Sequence, residues 1–217
     1  MKTKKYYPVC MDIDGRTCVV VGGGAIAYRK VRSLLSCGGH VIVISPQFNT
    51  GLISLGQKRN IVCRKAVYHR HYLKGADLVI AATDNGEVNR AVSADALRKG
   101  IPVNVVDSPD LSTFIVPAVL QIGTIGISVS TGGESPFLAK SVKERIKSVL
   151  GKEYAEYSRI CAAARKKIRQ KYSRADVRSA LYQKIQSSPI TGLLKAGRFT
   201  QARDLAEHII REGNHVV

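Results

Sequence analysis

Three stretches of this chain combine residue types that could bind or process a ligand. The first is Gly22-Gly23-Gly24-Ala25-Ile26-Ala27. It fits the pattern G-x-G-x-x-[GA], in which the first glycine makes a tight turn and the second lets a pyrophosphate approach the backbone. The small third residue lets a helix pack closely on its strand. Free N–H groups at the start of that helix would add partial positive charge. The second stretch is Asn104-Val105-Val106-Asp107. An aspartate just past a strand is ionised at neutral pH and can accept a proton. An equally ordinary use for it is an Asx turn holding the Ser108-Pro109 bend. The third is Ser130-Thr131-Gly132-Gly133-Glu134-Ser135-Pro136. A hydroxyl- and glycine-rich loop at a helix start suits a carboxylate or phosphate, or simple capping by Ser135 with Pro136 at the first helical position.

Two weaker groups stand beside these. His69 and His71 would share one face of a strand, but no third ligand lies nearby and no metal site is expected. The run Arg165-Lys166-Lys167-Ile168-Arg169-Gln170-Lys171 sits in a helical stretch. It could meet acidic groups of a ligand or RNA, although such runs commonly form a solvated face.

The elements that must position these residues follow from the apolar pattern. Residues 17–21 read as a buried strand, the glycines as a turn, and 25–37 as a helix with Ala27, Val31, Leu34 and Leu35 on one face. Residues 40–45 form a second strand closed by Pro46, which completes a βαβ unit. Strands are also predicted at 60–64, 76–82 and 102–106, with a helix over 87–99. The alternation predicts an α/β fold, a Rossmann-like doubly wound parallel sheet. Right-handed crossovers then put residues 22–24, 45–47, 83–85 and 107–109 along one sheet edge. That makes Gly22, Gly23, Gly24, Ala25, Ile26, Ser45, Pro46, Gln47, Thr83 and Asp84 the candidate cofactor-binding residues, with Asp107 the candidate catalytic one. A dinucleotide fold commonly ends its second strand in an acid that holds the ribose. Ser45-Pro46-Gln47 stands there instead, and no arginine follows closely to hold a 2′-phosphate, so the reading leans to NAD.

After Ser112 the pattern changes. Residues 113–121 and 124–130 read as a β-hairpin turning at Gly123, and 137–150 as a helix. The remainder reads as helical, with breaks near Ser187-Ser188-Pro189 and Gly197. The expected domains are therefore 1–112, a Rossmann-like NAD-binding domain; 113–150, a hairpin and helix; and 151–217, a C-terminal helical domain.

Composition narrows the class. The chain has 217 residues, 45% hydrophobic and 23% charged, long enough to bury a sizeable core. No apolar stretch approaches the roughly 20 residues that cross a bilayer, and no apolar run follows the basic N-terminus, so neither membrane insertion nor export is expected. Five cysteines without a Cys-x-x-Cys pair argue against a disulfide framework or zinc site. Scattered buried thiols in a reducing cytoplasm are the expectation. With 34 Lys and Arg against 16 Asp and Glu, the net charge is +18. Between residues 140 and 184 the excess is 14 cations over 4 acids. Such a field attracts polyanions, whether nucleic acid or a small polycarboxylate or phosphate.

Taken in order, Gly22-Gly-Gly-Ala-Ile-Ala-Tyr-Arg-Lys30, Ala81-Ala-Thr-Asp-Asn85 with Asn89, Asn104-Val-Val-Asp107, Phe114-Ile-Val-Pro117 and Ser130-Thr-Gly-Gly-Glu-Ser-Pro136 resemble the precorrin-2 dehydrogenase family, which also forms the N-terminal half of siroheme synthase. The resemblance runs from residue 8 to 150, with a looser helical likeness beyond. It implies NAD-dependent oxidation of precorrin-2 to sirohydrochlorin in siroheme biosynthesis. In some members ferrous iron is then inserted as a substrate to give siroheme. It implies that Asp107 serves both steps, that Ala25, Ile26, Pro46 and Gln47 contact NAD, and that Asn104, Ser130, Thr131, Gly132, Gly133 and Ser135 bind substrate. It further implies a homodimer joined through 113–150; some relatives carry a phosphorylated serine where Thr131 stands, and the threonine here departs from that pattern. The sequence has no counterpart of the methyltransferase half, so it is not expected to make precorrin-2. Three other readings remain: a Rossmann enzyme with a different acidic substrate, a tetrapyrrole carrier without catalysis, and a basic nucleic-acid-binding module. The last rests on charge alone, and nucleic acid is not the expected partner.

Overall fold

A computed structural model describes residues 5–215. Its contacts divide the chain into two units, with the division between Val116 and Pro117. The first unit contains β1 (Thr17–Val21), α1 (Ala25–Ser36), β2 (His40–Ser45), α2 (Thr50–Gln57), β3 (Val62–Lys65), β4 (Leu78–Ala81), α3 (Gly86–Arg98) and β5 (Val103–Val105). The strands form one parallel sheet in the order β3-β2-β1-β4-β5. The chain thus winds outward one way from β1, returns, and winds outward the other way from β4.

The sheet is covered on both faces, which is why its strands are apolar without alternation. Cys18 and Val20 of β1 pack with Ala27, Val31 and Leu34 of α1 and Leu52 of α2. Val19 and Val21, pointing the other way, pack with Leu73 and with Val92 and Ala96 of α3. At the outer edge, β5 pairs with no further strand among the described residues. Hydroxyls of the returning chain cover it instead: the Val103 and Val105 N–H groups donate to Thr113 Oγ1 at 2.8 Å and Ser112 Oγ at 2.9 Å.

Several sequence expectations change here. The Ser112–Thr113 segment meets β5 through its hydroxyls and one backbone bond, Thr113 N–H to the Val103 carbonyl at 2.8 Å, and the strand expected from 113 begins only after Pro117, which lacks an N–H for a ladder. The helix α2 was not expected; its sequence, Thr-Gly-Leu-Ile-Ser-Leu-Gly-Gln, has poor propensity. It forms because Asn49 caps it through Leu52 N–H and Leu52 is fully buried. His69 and His71 do not lie on a strand. His69 caps a 3-10 turn, Arg70–Leu73, and its ring contacts that of His71 with Nδ1 atoms 2.6 Å apart. No group of three or more metal-ligating side chains occurs among the described residues. The cysteines are all free, but only Cys18 is buried; Cys10 and Cys37 are exposed.

The second unit begins with an antiparallel hairpin, β6 (Ala118–Ile122) and β7 (Ile125–Val129), turning at Gly123 with φ +59°. It continues through α4 (Pro136–Val149), α5 (Glu153–Lys171), α6 (Ala175–Ser187), α7 (Ile190–Lys195) and α8 (Phe199–Arg211). Ile160, Ala164 and Ile168 of α5 pack with Val177, Leu181 and Ile185 of α6 and with Ala202, Ala206, Ile209 and Ile210 of α8. The hairpin, α4 and the later helices thus share one unit, whereas the sequence suggested a separate segment over 113–150 and a first boundary at Ser112. No helix among the described residues is long and apolar enough to cross a membrane.

Candidate functional site

At the carboxyl edge of the sheet, where the winding reverses between β1 and β4, the first unit opens a cleft of about 970 Å³. Ligands of open α/β sheets bind at such a reversal. Gly22, Gly23, Gly24, Ala25, Ile26, Ser45, Pro46, Gln47, Thr83, Asp84 and Asp107 all line it. Asn49, Ala66, Val67, Tyr68 and Asn85 line it as well, and the sequence did not point to the first four.

The three glycines do different work. Gly22 has φ +125°, and a Cβ there would overlap the Ala82 carbonyl. A Cβ on Gly23 would overlap the Gln47 carbonyl. These two are required by the protein itself. Gly24 has no such neighbour; the space around it is open. That is the position where a side chain would stand between a pyrophosphate and the backbone. The third small position, Ala27, is completely buried against the sheet.

The amino end of α1 is also left open. Asn49 caps α2 and Asn85 caps α3, but no side chain caps α1 at Gly24, and its first turn carries no acid. Its unpaired N–H groups and partial positive charge are available to an anion. The turn is held from both sides: Gly22 N–H donates to the Ile44 carbonyl at 2.9 Å, and Asn49 N–H to the Gly23 carbonyl at 2.8 Å. Across the reversal, buried Asn89 supports the Thr83 turn, with Thr83 Oγ1 donating to its Oδ1 at 2.8 Å and its Nδ2 donating to the Thr83 carbonyl at 3.0 Å.

Asp107 takes φ +59°, a left-handed conformation that a short polar residue tolerates. The bend after it is made by Ser108 N–H donating to the Val105 carbonyl at 3.2 Å. No hydrogen bond to the Asp107 side chain occurs among the described residues, so the carboxylate is exposed and not spent on an Asx turn. Lys30 of α1 lies within its field. Burial lowers the Lys30 pKa from the usual lysine value; Asp107 opposes that and Arg29 adds to it. Neither the Lys30–Asp107 relation nor the next group could be read from spacing. Tyr68 donates to Asp95 Oδ2 at 2.9 Å, and Arg98 pairs with the same carboxylate. Burial works against that charge, but the two hydrogen bonds outweigh it and hold Asp95 below the usual carboxylate range. Burial and the Asp95 partnership push the Tyr68 phenol well up.

At the ribose position, Ser45 Oγ accepts from Gln47 N–H at 3.4 Å. Parallel pairing sets Lys65 of β3 beside Ser45, so a cation stands one strand away from the place where the sequence had shown none.

Asn104 lies on β5 and is not among the cleft-lining residues. Its Nδ2 donates to the Phe114 carbonyl at 3.1 Å, while its buried Oδ1 has no partner among the described residues. Ser130, Thr131, Gly132, Gly133 and Ser135 belong to the second unit. There Thr131 Oγ1 donates to the Ser135 carbonyl and accepts from Ser135 N–H, both at 3.0 Å. Ser130 Oγ accepts from Gly132 N–H, and Ser135 Oγ caps α4 through Leu138 N–H. In this state the three hydroxyls shape their own loop.

A parallel doubly wound sheet with an open glycine turn and an uncapped helix at its reversal defines a dinucleotide-binding α/β protein. The comparisons agree. Residues 9–118 match the family model described as "Putative NAD(P)-binding", and the chain belongs to that family. Siroheme synthases of Nitrosomonas europaea and Nitrosomonas eutropha are 40% and 38% identical to it over 200 residues, which is 92% of this chain and 42% of each of theirs. The chain thus spans less than half the length of those relatives. A solved structure titled "SirC, precorrin-2 dehydrogenase" superposes with a TM-score of 0.77 at 24% identity, covering 94% of this chain and 100% of that one. That likeness extends the fold assignment to 94% of the chain.

Proposed function

We propose that this chain oxidises precorrin-2 to sirohydrochlorin with NAD as the acceptor. The observation that carries the reading is that one cleft gathers the open Gly24 turn and an exposed carboxylate, Asp107, that accepts no hydrogen bond among the described residues. The names of the similar proteins supply the substrate class.

Bound NAD would supply the hydride acceptor. The chain's own residues would do the rest. Gly24 and the amino end of α1 would hold the pyrophosphate by backbone N–H groups. Ser45 and Gln47 would face the adenosine ribose. As a hydride leaves the macrocycle, Asp107 would accept the proton that leaves with it. Asn104, buried on β5 and outside the cleft lining, would hold the returning chain in place through the Phe114 carbonyl. Iron insertion would use the same carboxylate: Asp107 would take pyrrole protons as the ferrous ion enters. Support for a homodimer comes from the apolar residues exposed on the hairpin and α4, Val119, Phe137, Leu138, Val142 and Val149. Free cysteines throughout suit a reducing cytoplasm.

The test is anaerobic precorrin-2 with NAD or NADP, followed at the NADH band and by sirohydrochlorin formation, with ferrous iron added afterwards. NADH and sirohydrochlorin rising together is the expected result. Tight binding of the tetrapyrrole without reduction of either nucleotide would overturn it in favour of a carrier.

A further inference from the structure

The basic run of α5 is divided by the fold. Lys167 pairs with Glu207 of α8, and Lys171 Nζ donates to the Arg211 carbonyl at 3.5 Å. Arg165 and Arg169, one helical turn apart, face another way. Only residues 172–174 separate α5 from α6, and α6 returns to present Arg178 and Tyr182, also one turn apart. Those four side chains line a groove of about 430 Å³. Arg178 is fixed there because its Nη1 donates to the Tyr172 carbonyl at 3.1 Å and to the Ser173 carbonyl, which closes the end of α5. Its Nε and Nη2 make no protein hydrogen bond among the described residues.

The surrounding acids are committed elsewhere. Glu156 binds Arg159 and Arg203, Asp176 binds Arg174, and Glu212 lies by Lys184 and His208. Arg165, Arg169 and Arg178 join no ion pair among the described residues. Three guanidinium forks converging on one groove without a carboxylate repel one another, and an oxyanion relieves that. Guanidinium forks match carboxylate and phosphate in two-point fashion, which a lysine does not do.

We propose that this groove is a binding site for a compact polyanion bearing two or more carboxylate or phosphate groups, separate from the nucleotide cleft of the first unit. The lysines of the run are turned toward α8 or sit on other faces, so no continuous cationic track forms. Tyr182 is the single aromatic lining the groove. Nucleic acid bound without sequence preference uses both a track and stacking platforms, so a compact anion fits better.

The test uses the full chain at constant ionic strength. Citrate serves as a free tricarboxylate and uroporphyrin as a stable octacarboxylate tetrapyrrole, each titrated by calorimetry without NAD. The variant is Arg165→Gln/Arg169→Gln, two exposed positions; the charge-matched control is Lys147→Gln/Lys166→Gln. Saturable one-site citrate binding is expected, weakened at least tenfold in the arginine variant and unchanged in the control. If uroporphyrin weakens in parallel, the groove holds tetrapyrrole carboxylates; if citrate alone weakens, it holds a free small anion. No saturable binding, equal loss in the control, or a single-stranded RNA that binds equally to wild type and arginine variant while displacing citrate would overturn the proposal. No turnover is read, so failure here is distinct from failure of the dehydrogenase reading.

Discussion

At the scale of single residues, the cleft separates positions that keep the fold from positions that leave room. Gly22→Ala forces a side chain onto the Ala82 carbonyl in a left-handed backbone and should cost several kcal/mol, about the range of severe single substitutions. Gly24→Val meets open space, so the melting temperature should move by no more than a few degrees. NAD affinity should nevertheless fall by about tenfold or more, a loss on the order of one good charge-assisted hydrogen bond. Thermal melts paired with NAD titration check both. Asp107→Asn preserves a residue suited to the left-handed turn and removes the charge. Turnover should drop by about a hundredfold or more with stability unchanged; full activity in that variant would remove Asp107 from the chemistry. The Tyr68–Asp95–Arg98 group sets an acid limit. Asp95 has a folded pKa below its unfolded value, so its contribution is complete above about pH 4 and is lost as pH falls through the lower folded value. Asp95→Asn should flatten that part of the stability curve, as read by denaturant midpoints at stepped pH.

At the scale of elements, the edge strand β5 connects stability to Asp107. Ser112 Oγ accepts from Val105 N–H and donates to the Val105 or Ser108 carbonyl, at 3.2 and 2.9 Å. Ser112→Ala leaves a buried N–H unpaired and should cost ~1–3 kcal/mol in urea unfolding. Because the Asp107 bend is anchored to the same two residues, kcat should fall more than the KM for NAD. In β1, burial, Asp77 and Cys37 push the Cys18 thiol up to about 11. Mild alkylation of the folded chain should mark Cys10 and Cys37 and spare Cys18, read by mass spectrometry. The elements also show what sequence could carry. The βαβ start was legible because an apolar strand, a glycine turn and a helical face each leave a local period. The helix α2 was not, because its cap and one buried leucine outweigh two internal glycines. The His69–His71 stretch was misread because alternation was taken for a strand where a cap and a 3-10 turn hold the chain.

At the scale of the molecule, charge and site separate. The net charge of +18 was readable at once, but its partition was not. Pairing within the helices neutralises Lys167 and Arg203 and leaves the three groove arginines open, a distinction that only tertiary packing makes. Lys30 near Asp107 and Lys65 beside Ser45 were hidden for the same reason, since α1 and β5, or β2 and β3, meet only in the fold. If the substrate is a tetrapyrrole polycarboxylate, raising salt from 50 to 500 mM should raise its KM several-fold, as screening shortens the field. The affinity for NAD, which backbone N–H groups would hold under the proposed function, should change less.

The contact between Gly22 and the Ala82 carbonyl reaches further than stability. It fuses the β1 and β4 loops into one inherited block, since neither can drift without breaking the other. The loop after β2 is held by a second such contact, between Gly23 and the Gln47 carbonyl, with Ser45 buried beside it; exposed Lys65 of β3 lies outside both contacts. Divergence in nucleotide preference, by natural drift or directed evolution, should therefore accumulate at exposed β3 positions such as Lys65, while the loops after β1, β2 and β4 stay frozen.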